Sequence, residues 1–586
     1  MILKEMVELY DRMIDAPNSQ LPPFGWWRKK VNYRVRIGSS GEVVGILPYV
    51  VGEGKQQKDF IEMTVPYGER SSGVKPFFLC DNGGYLFGLD EKKGAEKFRA
   101  SAELHKEVLG ACTDAAAVAL LRFFERGPQV DAFDQAQRTA LSKAIIVFEY
   151  APSNSYVHEV PGVIEAWDAY YSRLSASLED GQCSIDGGFG PMARLYPQVT
   201  GVHGAQSAGA SLVSFNFASS ESYGMRGTEN ASISEKNSFK SGAVLRWLLK
   251  SNDHKMLVGD TTVVYWTDKA ETDEVGLVAR LIGFNKPASA PEDAKTLSGL
   301  TALLHAIRTG SNHFPGDLDT GFFVLGISPN NARLSVRFYY TQTLDNMIEN
   351  LGRYLDDVSM DAVKPVSLAR LLEQLLPPGK GSVLPSTLLS ASYRALVTGS
   401  AFPQSLYVSL LERMKADHAK NHPWDMGQRA ALFKACLVRK RRLKGDLREK
   451  ELMMSLDQNN RNPGYVLGRL FAEIESAQIA ALGKSINATV RDKYIASAST
   501  TPARVFPQLM AGCQNHLSKI GKTKPGFEVV LQKEIGQIID LLSDQEGFFP
   551  KTLSVDDQGA FYIGYYQQRQ ANFAGKSNEA DGVNQE

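Results

Sequence analysis

A chain of 586 residues has room for about three domains at the usual ~100–200 residues each. Its 43% hydrophobic and 22% charged residues are globular in proportion and exclude a disordered or membrane-embedded chain. The 65 Lys+Arg balance the 65 Asp+Glu, leaving a formal net charge of zero; this excludes a whole-molecule polycation, so any nucleic acid must be held by local basic patches.

In chain order, MILKEMVELYDRM reads as an amphipathic helix with acids throughout. It lacks a basic segment followed by an apolar run, so it is not expected to be a signal peptide. No apolar stretch reaches the ~18 residues of a membrane span. Cys80, Cys112, Cys183, Cys436 and Cys513 are far apart and form no C-x-x-C pair. Neither a zinc site nor a disulfide framework is expected, and reduced thiols fit a cytoplasmic protein without metal or cofactor. Val31, Tyr33, Val35 and Ile37 share one face of an expected strand. A helical patch covers Ala100–Glu125. Leu257–Thr267 reads as a strand and Gly276–Phe284 as a strand or helix. Phe322–Ile327 and Arg333–Tyr340 read as two strands joined by a Ser-Pro-Asn-Asn turn.

Near residue 342 the pattern changes to apolar residues at three and four. Helices are expected over Leu344–Asp357, Ser367–Leu376, Pro385–Thr398, Phe402–Ala419, Met426–Leu443, Asn462–Leu482, Ser485–Ser497, Pro502–Ile520 and Pro525–Leu542. A polar break over Gly445–Pro463 separates two helical blocks, and the tail after Ala574 is expected to be disordered. The expected architecture is α+β: a mixed α/β region (1–343), a helical region (344–452) and a second helical block (453–586).

Signatures of most reaction classes are missing. There is no H-E-x-x-H, no H-x-E with P-C-x-x-C and no EF-hand loop. Gly379-Lys380-Gly381-Ser382 resembles the end of a P-loop, but Gly381 interposes and the upstream glycine spacing is wrong. Ala205-Gln206-Ser207-Ala208-Gly209 is close to a hydrolase elbow, with Ala205 where the motif has glycine. A serine hydrolase using Ser207 is therefore the alternative from another functional class, with His203 nearby and no acid identified.

Four constellations are compatible with nucleic acid. In the first, Lys30, Asn32, Arg34 and Arg36 alternate onto one face of a strand after Trp26-Trp27; the face either tracks phosphates or is simply solvated. The second is GVHGAQSAGASLVSFNFASSESY (201–223). Its glycines let backbone N–H groups approach a ligand, and Gln206 and Asn216 carry amides of the kind that pair with base edges. Asn230, Ser234, Lys236 and Lys240 continue it; the competing reading is a Gly-rich connection before a buried strand. In the third, VRKRRLKGDLREK (438–450), Arg439 and Arg442 with Lys440 and Arg441 spread around a helix that is either solvated or bound to phosphate. In the fourth, Arg333 and Arg337 flank Ser335 on one strand face, for phosphate or for structural ion pairs.

Read together, these blocks resemble the large subunit of type I-C CRISPR surveillance complexes (Cascade). The resemblance is carried in order by Pro22–Gly25; by GAQSAGASLVSFN with Ser222-Tyr223-Gly224 and Asn230; by Gly259–Asp268; by Phe323–Tyr340; by Leu456–Ala472; by Asn487–Leu509; and by Gly559–Gln570. The basic run after Gly25 is not part of the family pattern, so Lys30, Arg34 and Arg36 rest on local physics alone. The resemblance implies a non-enzymatic, antiviral ribonucleoprotein component. Base pairing by a guide RNA reads the target, while the large subunit reads a short tag (the PAM) in double-stranded DNA, helps open it and stabilises the R-loop. Implied partners are the guide RNA, the target duplex and its displaced single strand, other Cascade subunits including small helical ones, and a recruited helicase-nuclease.

On that resemblance, Gln206, Ser207, Asn216 and Asn230 are expected at the PAM-reading surface, with Tyr223 as a stacking or wedge residue. Lys236, Lys240, Arg333 and Arg337 are expected on phosphates, as are Arg439 and Arg442. The family also makes a small helical subunit by internal translation. Met453 and Met454 follow Glu449-Lys450-Glu451, whose purine-only codons suit a ribosome-binding sequence; a separate product from Met453 or Met454 to Glu586 is expected. In it Arg469, Lys484, Arg491, Lys493 and Arg504 are candidate phosphate contacts.

Overall fold

The computed structural model describes residues 1–17, 19–52, 54, 57–68, 70, 73–215, 217–269, 319–364, 366, 368–377, 383–416, 425–448, 452–483, 488–542 and 548–582. The expected segment Gly276–Phe284, the P-loop-like Gly379–Ser382, Asn216 and Lys484 lie outside them. The chain forms two compact units, Met1–Ser251 with Pro329–Val336, and Asn252–Ser328 with Arg337–Glu586. The expected mixed α/β region followed by a mainly helical one is present, although the units divide after Ser251 rather than near 343.

The first unit is built on a sheet of β3 (Val43–Pro48), β2 (Tyr33–Ile37), β6 (Ile145–Tyr150) and β5 (Cys80–Asn82) in that order, with β7 (Ser155–Tyr156) paired to β6. Helices α3 (Gly94–Leu109), α4 (Ala115–Glu125) and α6 (Pro161–Ala176) contribute Leu109, Leu120, Phe123 and Trp167 to one core with Val35, Ile37 and Phe148. The helical patch expected over Ala100–Glu125 is made of two helices, α3 ending at Leu109 and α4 beginning at Ala115. The single strand expected over Val31–Ile37 is also two. β1 (Trp26–Val31) pairs with β4 (Ile61–Pro66), while β2 joins β3 and β6. The break is at Asn32, whose carboxamide accepts from the Ile145 amide at 3.0 Å and donates to the Asp59 carbonyl at 3.1 Å. The Asn32 backbone also donates to the Ile145 carbonyl and accepts from the Tyr49 amide, both at 2.8 Å, so the residue is the hinge at which the chain passes from the β1–β4 pair into the larger sheet.

Beside that sheet, α1 (Ile2–Ile14) packs on α7 (Glu235–Lys250). Val7 of α1 shares a small core with Cys183, Ile185, Tyr196 and Ile233. These apolar residues anchor the long loop region 180–234, whose described residues include short strands, the β8 (Asp180–Gln182)–β9 (Phe189–Pro191) hairpin, β10 (Gln198–Val199) and β11 (Ala210–Ser211), and two 3-10 turns, Ala218–Ser220 and Gly227–Asn230.

In the second unit, residues 255–267 form a hairpin, β12 (Lys255–Val258) and β13 (Thr261–Thr267), where one strand was expected. β13 pairs with β14 (Gly321–Asn330), which turns through Asn331-Ala332 into β15 (Arg333–Thr343). The helices follow close to their expected places, from Leu344–Val358 to Pro525–Asp540. A further helix, Val555–Gly582, was not anticipated; it extends into the tail expected to be disordered. It crosses helix Pro463–Leu482 so closely that a Cβ on Gly468 would lie 2.0 Å from the Phe561 carbonyl oxygen, and one on Gly564 2.2 Å from that of Tyr465. The GYVLGR and AFYIGYY blocks are therefore two halves of one backbone-to-backbone contact. No helix among the described residues is long and apolar enough to cross a membrane.

Candidate nucleic-acid interface

The loop region 180–234 is laced together by its backbone. The Ser184 amide donates to the Ser232 carbonyl (2.7 Å), the Ala193 amide to Ile233 (2.9 Å) and the Thr228 hydroxyl to the Arg194 carbonyl (3.3 Å). Asn237, at the start of α7, donates to Asp186 at 2.7 Å and to the Cys183 sulfur at 3.4 Å. The bond from Asn237 is the main reason the Asp186 carboxyl is held below its ordinary range. Two loops that carry few regular ladders are thus fixed to a helix end.

Within this region Tyr223 stands at a loop tip, 96% exposed and at φ +54°. A bulky residue in the left-handed region is uncommon and costs on the order of 1 kcal/mol or more. It persists because the loop is over-determined. The Asn230 carboxamide oxygen accepts from the Ser222 amide (2.9 Å) and hydroxyl (3.2 Å), and its nitrogen donates to the Met225 and Gly227 carbonyls (both 3.0 Å). Both donors and both acceptor positions of the amide are occupied. Asn230, expected at the PAM-reading surface, holds the loop that presents Tyr223.

Gln206 and Ser207 are exposed in the loop joining β10 to β11. The Gly209 amide closes the turn onto the Gln206 carbonyl at 2.9 Å, and Gly209 has φ +97°, with the Val199 carbonyl oxygen 3.0 Å from where a Cβ would stand. This is a strand–loop–strand context. A nucleophile elbow needs a strand-to-helix turn, so the geometry does not favour the hydrolase alternative at Ser207.

Ser211 of β11 pairs with Arg333 at the β14–β15 tip. The Arg333 guanidinium lies 4.3 Å over the ring of Phe217, which is itself exposed. Lys236 is exposed in the first turn of α7. Lys240, one turn on, is buried and paired with Asp11. In the first unit, then, Gln206, Ser207 and Tyr223 are carried on this laced system of loops, Lys236 on the first turn of α7 that it is bonded to, and Arg333 on the strand that pairs with β11. Phe189 and Leu195, exposed on the same system, were not singled out from the sequence, because a lone apolar residue in a loop has no periodicity to mark it.

The other basic constellations are mostly internal pairs. Arg34 and Arg36 both reach Glu149 on the neighbouring strand, at 2.9 and 2.7 Å, and the Glu149 side chain is only 5% exposed. Lys30 is exposed but lies 4.3 Å over Phe60, in a different sheet from Arg34 and Arg36. In the second unit four cations of the described part of the run, 438–448, are paired within the chain: Arg439 and Arg442 clamp Asp357, Lys440 pairs with Asp556 at 2.7 Å, and Arg441 donates to the Arg448 carbonyl at 2.7 Å. Arg337 donates to the Ser328 hydroxyl at 2.6 Å. Arg469 is buried on Gln568 and the Gln458 carbonyl, and Arg491 is buried, whereas Lys493 and Arg504 are exposed. A cation already matched by a buried carboxylate offers little to a phosphate.

Compared with models of known families, residues 6–573 match the one described as CRISPR-associated protein (Cas_Csd1). No curated protein matches the chain.

Proposed function

The chain belongs to the Cas_Csd1 family of CRISPR-associated proteins, consistent with the large subunit of a type I-C Cascade complex, and from that premise we propose that its loop system 180–234 reads the PAM in a duplex and starts its opening. The observation that carries this is Tyr223, a fully presented ring on a loop stapled by Asn230. An apolar or aromatic side chain inserted between base steps unstacks them, and a rigid mount keeps the cost of ordering low. Gln206 and Ser207 supply donors and acceptors for base edges, and Lys236 and Arg333 supply charge for the flanking phosphates. We assign no catalytic step to the chain. Base pairing by guide RNA supplies the address, other Cascade subunits complete the assembly, and the open R-loop is what a helicase-nuclease would be recruited to. Asn230, Lys240, Arg34, Arg36, Arg439 and Arg442 drop out as direct contacts and remain as supports.

The test uses assembled complexes on targets with matched and mutated PAMs. Tyr223→Ala is expected to keep binding to pre-opened targets while losing about 1–3 kcal/mol on closed duplex, the size of one base stack. Gln206→Ala is expected to lose a similar amount on the matched PAM only. Wild-type discrimination and opening in both would remove the loop system from the reading.

A further inference from the structure

Within the first unit, behind the Tyr223 loop, lies a cleft of about 440 Å3, inside the ~300–1,000 Å3 range of small-ligand sites. Its chemistry is divided. Lys75 and Arg194 are exposed cations that line it, and among the described residues neither has an acidic partner. The N-terminal end of α7, a 16-residue helix, adds the positive end of a dipole. The cleft is also lined by Tyr67, half-buried and backed edge to face by the buried Phe239 ring at 5.5 Å, and by Leu195, which is exposed.

Two further features point to a ligand. Ser238 lines the cleft, is 1% exposed, and its hydroxyl has no hydrogen-bond partner; buried polar groups are normally satisfied. Glu235, also lining the cleft, accepts from the Tyr171 hydroxyl at 3.5 Å and presents a carboxylate, an acceptor for an exocyclic amino group. Cations, an aromatic wall and one acceptor are the complement of a nucleotide: phosphate, base face and base edge.

We propose that this cleft receives one unpaired nucleotide of the DNA strand displaced at Tyr223. The phosphate sits at Lys75 and Arg194, and the base packs against Tyr67 and Leu195 with its amino edge toward Glu235. The Thr228–Arg194 hydrogen bond ties the foot of the Tyr223 loop to the rim of the cleft, so a base leaving the stack at the loop has the cleft next to it. The strand assignment rests on the duplex-opening reading above; the nucleotide chemistry of the cleft does not.

The experiment titrates the full-length chain, at low salt, with a short single-stranded DNA carrying one fluorescent base analogue. Binding is expected to quench the analogue through stacking. Arg194→Glu reverses the charge at the rim and Leu195→Trp fills the mouth. Both positions are exposed, so both variants should fold, as an unchanged melting curve would show. Each is expected to weaken binding about tenfold, the scale of losing one stacked base or one phosphate contact, and to restore the emission. Unchanged affinity and quenching in both variants would overturn the proposal. A free deoxynucleoside monophosphate that competes as well as the strand would overturn the strand assignment. Because the probe is single-stranded from the outset, failure of PAM reading would leave these results untouched, and failure here would leave PAM reading untouched.

Discussion

The fate of the basic run 438–450 makes a quantitative prediction. Asp357, near the end of helix Leu344–Val358, receives the Arg439 Nε at 3.2 Å and the Arg442 guanidinium at 2.7 and 2.9 Å. The Asp357 and Arg439 side chains are each 1% exposed, whereas Arg442 is 29% exposed. Among the described residues, Asp357→Ala would leave the buried Arg439 with the Ala395 carbonyl, 2.9 Å away, and the Phe402 ring as its partners. An uncompensated buried charge costs about 3–5 kcal/mol, and the more exposed Arg442 adds no more than about 1. Arg439→Met should cost less, because Asp357 keeps Arg442 and because one Arg439 nitrogen already lacks a partner. The double variant should cost less than the sum of the two. Urea unfolding followed by circular dichroism measures this. At the ~3 kcal/mol/M slope of a large helical unit, the Asp357→Ala midpoint should fall on the order of 1 M. A fall no larger than a surface pair gives would refute the clamp. So would a weaker salt dependence of DNA binding in folded Arg439→Met complexes, since it would return that arginine to the phosphates.

Gly468→Ala places a Cβ against the Phe561 carbonyl and should lower the thermal midpoint by an overpacking cost of about 1–3 kcal/mol, measured by calorimetry. Burial, with Glu534 nearby, raises the Glu473 carboxyl to about 7 despite hydrogen bonds from Asn572 and Gln568. A raised acid favours the folded state only while protonated. Stability should therefore be full below about pH 4.5, fall by about 2–3 kcal/mol as the pH rises to 7 and level off above it. Glu473→Gln should flatten that profile in unfolding runs across pH. If translation also starts within the gene, changing the Met453 and Met454 codons to leucine should remove a small C-terminal band from a gel. Such a product would lack Tyr407 and Phe433, which pack on Asp556 and Tyr562 in the whole chain, and should gain stability from whatever covers that face.

The helices after residue 344 were legible because apolar spacing of three and four is a local property, and burial then follows that stripe with little freedom. Two of the family blocks have a related physical basis: Gly468 and Gly564 sit where two backbones nearly touch, and a side chain at either would collide with a carbonyl. What the sequence could not tell was the use of polar groups. Arg34, Arg36 and Arg439 have the right chemistry for a nucleic acid, and only the arrival of Glu149 or Asp357 from elsewhere in the chain decides that they are paired within the protein. The break at Asn32 was hidden likewise, because it depends on Asp59 and Ile145. Periodicity is written along the chain, whereas the pairing of charges and amides depends on which distant segments meet.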